Sequence, residues 1–127
     1  MASKASAFTW VWGNPGTQAT TSENPRVPGS FNNVVNGTGA GAAFNTHKHG
    51  ELFTYHIETN DSGWGYELRV GRTSSGPWRT ISSNSGTSTA TLDIRQFPGP
   101  FAWLSPNVSA LASTANYVII SMVAVEG

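Results

Sequence analysis

The run "NYVIISMVAVE", residues 116–126, is the most apolar in the chain. Read as a strand, it presents Tyr117, Ile119, Ser121, Val123 and Val125 on one face and Val118, Ile120, Met122, Ala124 and Glu126 on the other. Successive side chains of a strand point to opposite sides. Both faces are mostly apolar, so the pattern predicts a central strand covered on both sides. A second sheet would supply one cover and a neighbouring subunit the other.

Outward from this run the same two-residue period recurs. "GELFTYHIETN" sets Phe53, Tyr55 and Ile57 against Leu52, Thr54, His56 and Glu58, and "WGYELRVGR" sets Tyr66, Leu68 and Val70 against Glu67 and Arg69. "TSSGP" turns into "WRTISS", a hairpin by its turn residues. "TSTATLDIRQF" alternates Leu92 and Ile94 with Asp93 and Arg95, and "AFTWVWG" alternates Phe8, Trp10 and Trp12 with Thr9 and Val11. "FNNVVNG" is a short edge piece, and "PFAWLSPNVSAL" is two pieces split at Pro106. Gly, Asn or Pro interrupts every candidate helical window. About eight strands at roughly ten-residue spacing predict an all-β fold, an antiparallel β-sandwich of jelly-roll type.

A chain of 127 residues is one domain, here with an N-terminal tail ("MASKASAF") and a Pro-rich arm at residues 14–30. No cysteine is present, which removes disulfides, thiolate metal sites and thiol chemistry. Seven basic and seven acidic residues are dispersed and cancel, which argues against direct binding of nucleic acid or an anionic membrane. No secretory signal stands at the N-terminus, and no run is long and apolar enough to span a bilayer. Low charge also disfavours a free monomer and suits a surface buried in an assembly.

Candidate chemistry is thin. "NGTGAGAAF" places Gly37, Gly39 and Ala42 in the dinucleotide-binding spacing, but no helix follows, so the stretch reads as a Gly-rich loop. His47 and His49, with His56, offer three imidazoles without a carboxylate at ligand spacing, and no metal or other cofactor is expected. Asp61 with Asp93, or Glu51 with Glu58, would be a glycosidase pair only at the right separation, and no nucleophile elbow occurs. A non-enzymatic role is the expectation.

Five tryptophans remain: Trp10, Trp12, Trp64, Trp78 and Trp103. In "SSGPWRTISSNSG" and "FPGPFAWLSPNVSAL" a Gly-Pro pair leads into Trp78 or into Phe101 and Trp103. These three aromatics are read as core, because a small sandwich poor in Leu needs bulky side chains between its sheets. Trp64, flanked by glycines in "DSGWGYE", is read as an exposed contact.

The succession "YELRVGRTSSGPWRTISSNSG", "FPGPFAWLSPNVSAL" and "NYVIISMVAVEG" resembles a module of tailed-bacteriophage virion structural proteins, among them small β-rich head decoration (cement) proteins. The resemblance covers the C-terminal half. It implies a capsid decoration protein on the virion surface, assembled in the host cytoplasm, forming a homo-oligomer (a trimer) and binding the major capsid protein. Partner contacts then fall on the arm (Pro25, Arg26, Pro28), on Trp64 and on the Tyr117 and Ile119 side of the last strand. The alternatives are a carbohydrate- or receptor-binding module of a phage tail or adhesin, and a small hydrolase.

Overall fold

The computed structural model describes residues 5–13, 33–46, 52–89, 91–99 and 101–125. The Pro-rich arm at 14–30 and the first four residues of the tail lie outside them. Eleven strands follow one another: β1 (Ala5–Gly13), β2 (Asn33–Val35), β3 (Gly39–Ala40), β4 (Phe44–Asn45), β5 (Leu52–Thr59), β6 (Trp64–Gly71), β7 (Trp78–Gly86), β8 (Thr91–Pro98), β9 (Trp103–Leu104), β10 (Asn107–Ala110) and β11 (Tyr117–Val125).

The first sheet runs β2-β1-β11-β5-β8. In the second, β6 pairs β7 along its whole length, so β9 and β10 share its other edge, with β4 and β3 beyond them. β9 and β10 are one interrupted strand. Glu67 faces Asn107 and Val70 faces Leu104, the same register on both sides of the break. Pro106 cannot donate to a ladder and makes the interruption, while Ser105 N–H still reaches the Arg69 carbonyl at 3.1 Å. β3 and β4 are likewise one strand carrying an extra residue, since Ala40 faces Asn107 and Phe44 faces Leu104. Counting each interrupted pair once and setting aside the short parallel β2 leaves eight antiparallel strands in jelly-roll order. The predicted fold class is the observed one.

The extra residue in β3–β4 has a purpose in the core. Trp10 and Trp12, from the first sheet, donate their indole N–H groups across the sandwich to the carbonyls of Ala42 and Gly39, each at 2.8 Å. Gly41 lies between them, and a Cβ there would come within 2.6 Å of Trp10 Cδ1. Phe53, Tyr55, Ile57, Tyr66, Leu68, Leu104, Ile120 and Met122 complete the seam between the sheets.

β11 sits between β1 and β5 and is buried on both faces, as its two apolar faces predict. Val118, Ile120, Met122 and Ala124 join the main core, whereas Tyr117 and Ile119 form a second cluster with Val11. The outer cover needs no neighbouring subunit, because Tyr117 and Ile119 are 7% and 6% exposed in the single chain.

β8 turns the other way from what hydropathy alone suggests. Its pairing puts Asp93 opposite Ile57 and Arg95 opposite Tyr55, both core residues, so the charged residues face inward and Leu92 and Ile94 face out. At this open side of the sandwich Asp93 accepts hydrogen bonds from the Tyr66 hydroxyl (3.1 Å) and Asn84 Nδ2 (2.9 Å). Burial and then the Asp93 charge raise the Tyr66 hydroxyl above its ordinary pKa, with Arg95 opposing them.

One carboxylate ties the loops at the end of the sandwich. Asp61 is buried and accepts from Gly63 N, Ala112 N, Ser113 N and Asn116 Nδ2 at 2.8–3.1 Å. Burial works against its charged form, but these donors outweigh burial and hold the carboxyl below its ordinary value of 3.8.

Two outcomes follow from these contacts. Trp10→Phe and Trp12→Phe each remove the indole donor from a part-buried bond to a backbone carbonyl and cost about 1–3 kcal/mol in urea unfolding. The depressed pKa of Asp61 contributes stability at pH above its ordinary range, and that stability is lost as pH falls through the lower folded-state value. Asp61→Asn turns an amide donor toward backbone donors; it costs roughly 3 kcal/mol at neutral pH and flattens the acid side of the stability–pH curve.

Candidate functional site

The outward residues of β6 are Gly65, Glu67, Arg69 and Gly71, alternating with inward Trp64, Tyr66, Leu68 and Val70. Paired residues of neighbouring strands share a face. The exterior of the second sheet is therefore organised in rows. Ser83, Glu67, Asn107 and Ala40 form one, Thr80 and Arg69 begin the next, and Trp78, Gly71, Trp103 and Asn45 form the last.

In that last row the two indoles belong to strands either side of β6, about 10 Å apart at their backbones. Gly71 makes room for them: a Cβ on it would come within 2.8 Å of Trp78 Cε3. Gly76, at φ +89°, precedes Pro77 and sets the start of β7 so that Trp78 lies back across the sheet. Trp78 and Trp103 are half-buried, and neither belongs to the core cluster.

Next to the aromatic row are two fixed charges. Arg69 donates from Nε to the Ser105 carbonyl (2.8 Å) and from Nη2 to Ser105 Oγ (3.0 Å), and its Cζ lies 5.5 Å from the Trp78 ring centroid. Ser105 Oγ in turn donates to the Gly41 carbonyl at 2.8 Å. Partial burial pulls the guanidinium below its usual pKa, and the Glu67 charge works against that pull. Glu67 accepts from Asn107 Nδ2 (2.8 Å) and Thr80 Oγ1 (3.3 Å). A carboxylate can accept about four hydrogen bonds, so Glu67 retains acceptor capacity toward solvent.

Beyond Glu67 lies a depression of about 560 Å³ lined by Tyr66, Glu67, Ser83, Asn84, Ser85 and Ser109. From Gly65 to Gly71 the face runs for roughly 20 Å. It has hydroxyls at one end, a held carboxylate and guanidinium in the middle, and two indoles at the other. Such a surface can stack flat apolar rings and bond to hydroxyl groups along an extended ligand.

Of the residues expected to carry contacts, none that is described lines this face. Trp64 is not exposed: it is 5% accessible, its Nε1–H donates to the Ser88 carbonyl (3.1 Å), and its ring stacks on Tyr66 at 6.0 Å between centroids. Gly86 makes room for the indole, for a Cβ on it would meet Trp64 at 2.7 Å, while the glycines flanking Trp64 in sequence abut Ala112 and Ser109. Tyr117 and Ile119 are buried against Val11 and offer no surface of their own. Pro25, Arg26 and Pro28 lie outside the described residues, as do His47, His49 and Glu51.

Phe101 is core as expected, packed 5.1 Å from Phe53, but Trp78 and Trp103 are on the outer face. Asp61 is engaged by four donors and Asp93 by two, so both already serve structure. His56 and Glu58 stand on β5 opposite Ile94 and Leu92. Among the described residues no three His, Asp or Glu side chains gather as a metal set. Gly37 and Gly39 adopt positive φ in a bend leading to β3, and no helix follows them among the described residues.

No protein family and no curated protein matches the sequence. Solved structures do match the fold. YomS, a protein derived from the SPBc2 prophage, aligns over 99% of this chain and 96% of its own at 11% identity, with a TM-score of 0.58. The K2 cleaved adhesin domain of Lys-gingipain aligns over 73% of this chain and 65% of its own at 10% identity, with a TM-score of 0.54. A family 29 carbohydrate-binding module reaches 0.46 at 11% identity over 98% of this chain and 90% of its own. At these identities the likeness establishes the fold alone.

Gly71→Ala tests how the aromatic row is built. The added methyl pushes the Trp78 ring off the sheet, shifting indole emission to longer wavelength and costing about 1–3 kcal/mol in a denaturant titration.

Proposed function

We propose that the chain is a non-enzymatic binding module of phage-related origin whose second sheet holds a neutral, extended carbohydrate on its outer face. One observation carries the reading: Trp78 and Trp103 flank Gly71 on the solvent side, in line with Arg69 and Glu67. Sugar rings present an apolar face to an indole and hydroxyls at their rims, and both requirements are met along β6. The Glu67 carboxylate disfavours acidic sugars and accepts from hydroxyls, while Arg69 is held with its guanidinium over Trp78. The polar groups of the face are already held by their neighbours, which suits retention of a ligand. The phage setting rests on the resemblance of the C-terminal half to virion structural proteins, and the jelly-roll shared with YomS is consistent with it.

A second reading is head decoration, in which the module bridges copies of the major capsid protein. It is favoured by Leu52, Leu92 and Ile94, which are 42%, 54% and 57% exposed on the outside of the first sheet. A cement protein needs such a face, and preference for one capsid state would stabilise that state by mass action. Co-sedimentation with expanded capsids is the corresponding measurement.

For the carbohydrate reading, the wild-type chain is applied to a glycan array, and the hits are titrated by calorimetry. Neutral oligosaccharides bind, and Trp78→Ala and Trp103→Ala each weaken binding roughly tenfold. Trp64→Phe, inside the core, leaves affinity unchanged. An array on which no glycan binds removes this reading.

A further inference from the structure

β8 is the last strand of the first sheet and pairs only with β5 among the described residues. Its far edge therefore presents a row of unpaired backbone donors and acceptors, the usual template for another strand. The adjoining outer face adds apolar area, with Leu92 and Ile94 on β8 and Leu52 on β5.

We propose that β8 pairs antiparallel with β8 of a second copy of this chain, about a two-fold axis passing through Ile94. The strand reads Thr91-Leu92-Asp93-Ile94-Arg95-Gln96-Phe97-Pro98, with opposite charges one residue either side of Ile94. In an antiparallel pair centred there, Asp93 stands opposite Arg95 of the partner subunit, and Arg95 stands opposite Asp93 of the partner subunit. Ile94 meets its own copy on the outer face, and Leu92 lies beside Gln96 of the partner subunit. Opposite charges facing each other across strands are favourable, and like charges are not.

Sliding the axis to Asp93 would oppose two aspartates, and sliding it to Arg95 would oppose two arginines. The register at Ile94 avoids both. Charges turned inward on an edge strand normally discourage pairing; here their order makes the edge complementary to itself. The contact is isologous and closes at two copies. It is independent of the carbohydrate reading, because it uses the opposite sheet.

Sedimentation velocity on the full chain gives a dimer for the wild type. Asp93→Lys and Arg95→Glu each set like charges opposite one another and raise the dissociation constant at least about tenfold. Mixing these two variants restores a dimer, because Lys at 93 in one then faces Glu at 95 in the other, and the remaining Arg95 faces the remaining Asp93. Ile94→Lys, at an exposed position, also yields monomer. Circular dichroism checks the fold of each variant, and should a charge variant fail to fold, Ile94→Lys decides alone. A wild-type monomer, a wild-type trimer, or a dimer that survives Ile94→Lys overturns the proposal.

Discussion

Two tryptophan hydrogen bonds cross from the first sheet of this molecule to the second. The indoles of Trp10 and Trp12 bring large apolar surfaces into the seam, and each carries one N–H that must be satisfied there. Their acceptors are backbone carbonyls exposed by the extra residue between β3 and β4. That residue needs Gly41 beside it, because any side chain would collide with both rings. Facing it, the strand formed by β9 and β10 is broken at Pro106, whose carbonyl accepts from Gly41 N–H at 2.7 Å. A bulge, a proline break, a glycine and two indoles thus form one interlocked unit. The separation of the sheets and the register of β3 through β10 depend on it.

The architecture was legible because alternation is a local property. The two apolar faces of residues 116–126 mark a central strand without any knowledge of its neighbours. Pro106 likewise marks the break in its strand. The proposed binding face was not legible for the opposite reason. Whether Trp78 and Trp103 lie inside or outside is decided by their pairing with Gly71, which for Trp103 joins distant parts of the sequence and for Trp78 depends on a hairpin whose register shifts between Leu68 and Arg69. Composition favours the core for a tryptophan, and Trp10, Trp12 and Trp64 obey it. The glycines flanking Trp64 suggested openness, yet the indole is buried in the space that Gly86 leaves on the neighbouring strand. A usable signal lay in "GYELRVG", where the positions alternating with Tyr66, Leu68 and Val70 are two glycines and two opposite charges. That is the composition of a floor, and aromatics paired with it had to lie on top.

The two outer surfaces differ in chemistry. The second sheet shows indoles, hydroxyls and a charge pair already anchored by Ser105, Asn107 and Thr80, so its polar groups are held in place before any ligand arrives. The first sheet exposes Leu52, Leu92 and Ile94 among the polar Thr54, His56, Glu58 and Gln96 of β5 and β8, and β8 is its last strand among the described residues. One face is suited to a hydrated, hydroxyl-bearing molecule and the other to a protein strand. The Asp61 hub at the loop end belongs to neither face.

The antiparallel partnership of β1 with β11 joins Ala5 to Val125, so the first of the described strands completes its ladder with the last. Before β11 arrives, Trp10 and Trp12 have only the short parallel β2 beside them in their sheet. Closure of the first sheet therefore waits on its most distant contact, and until it forms the chain carries sticky aromatic segments. Its abundant serine, threonine, asparagine and glycine keep that waiting polymer hydrated.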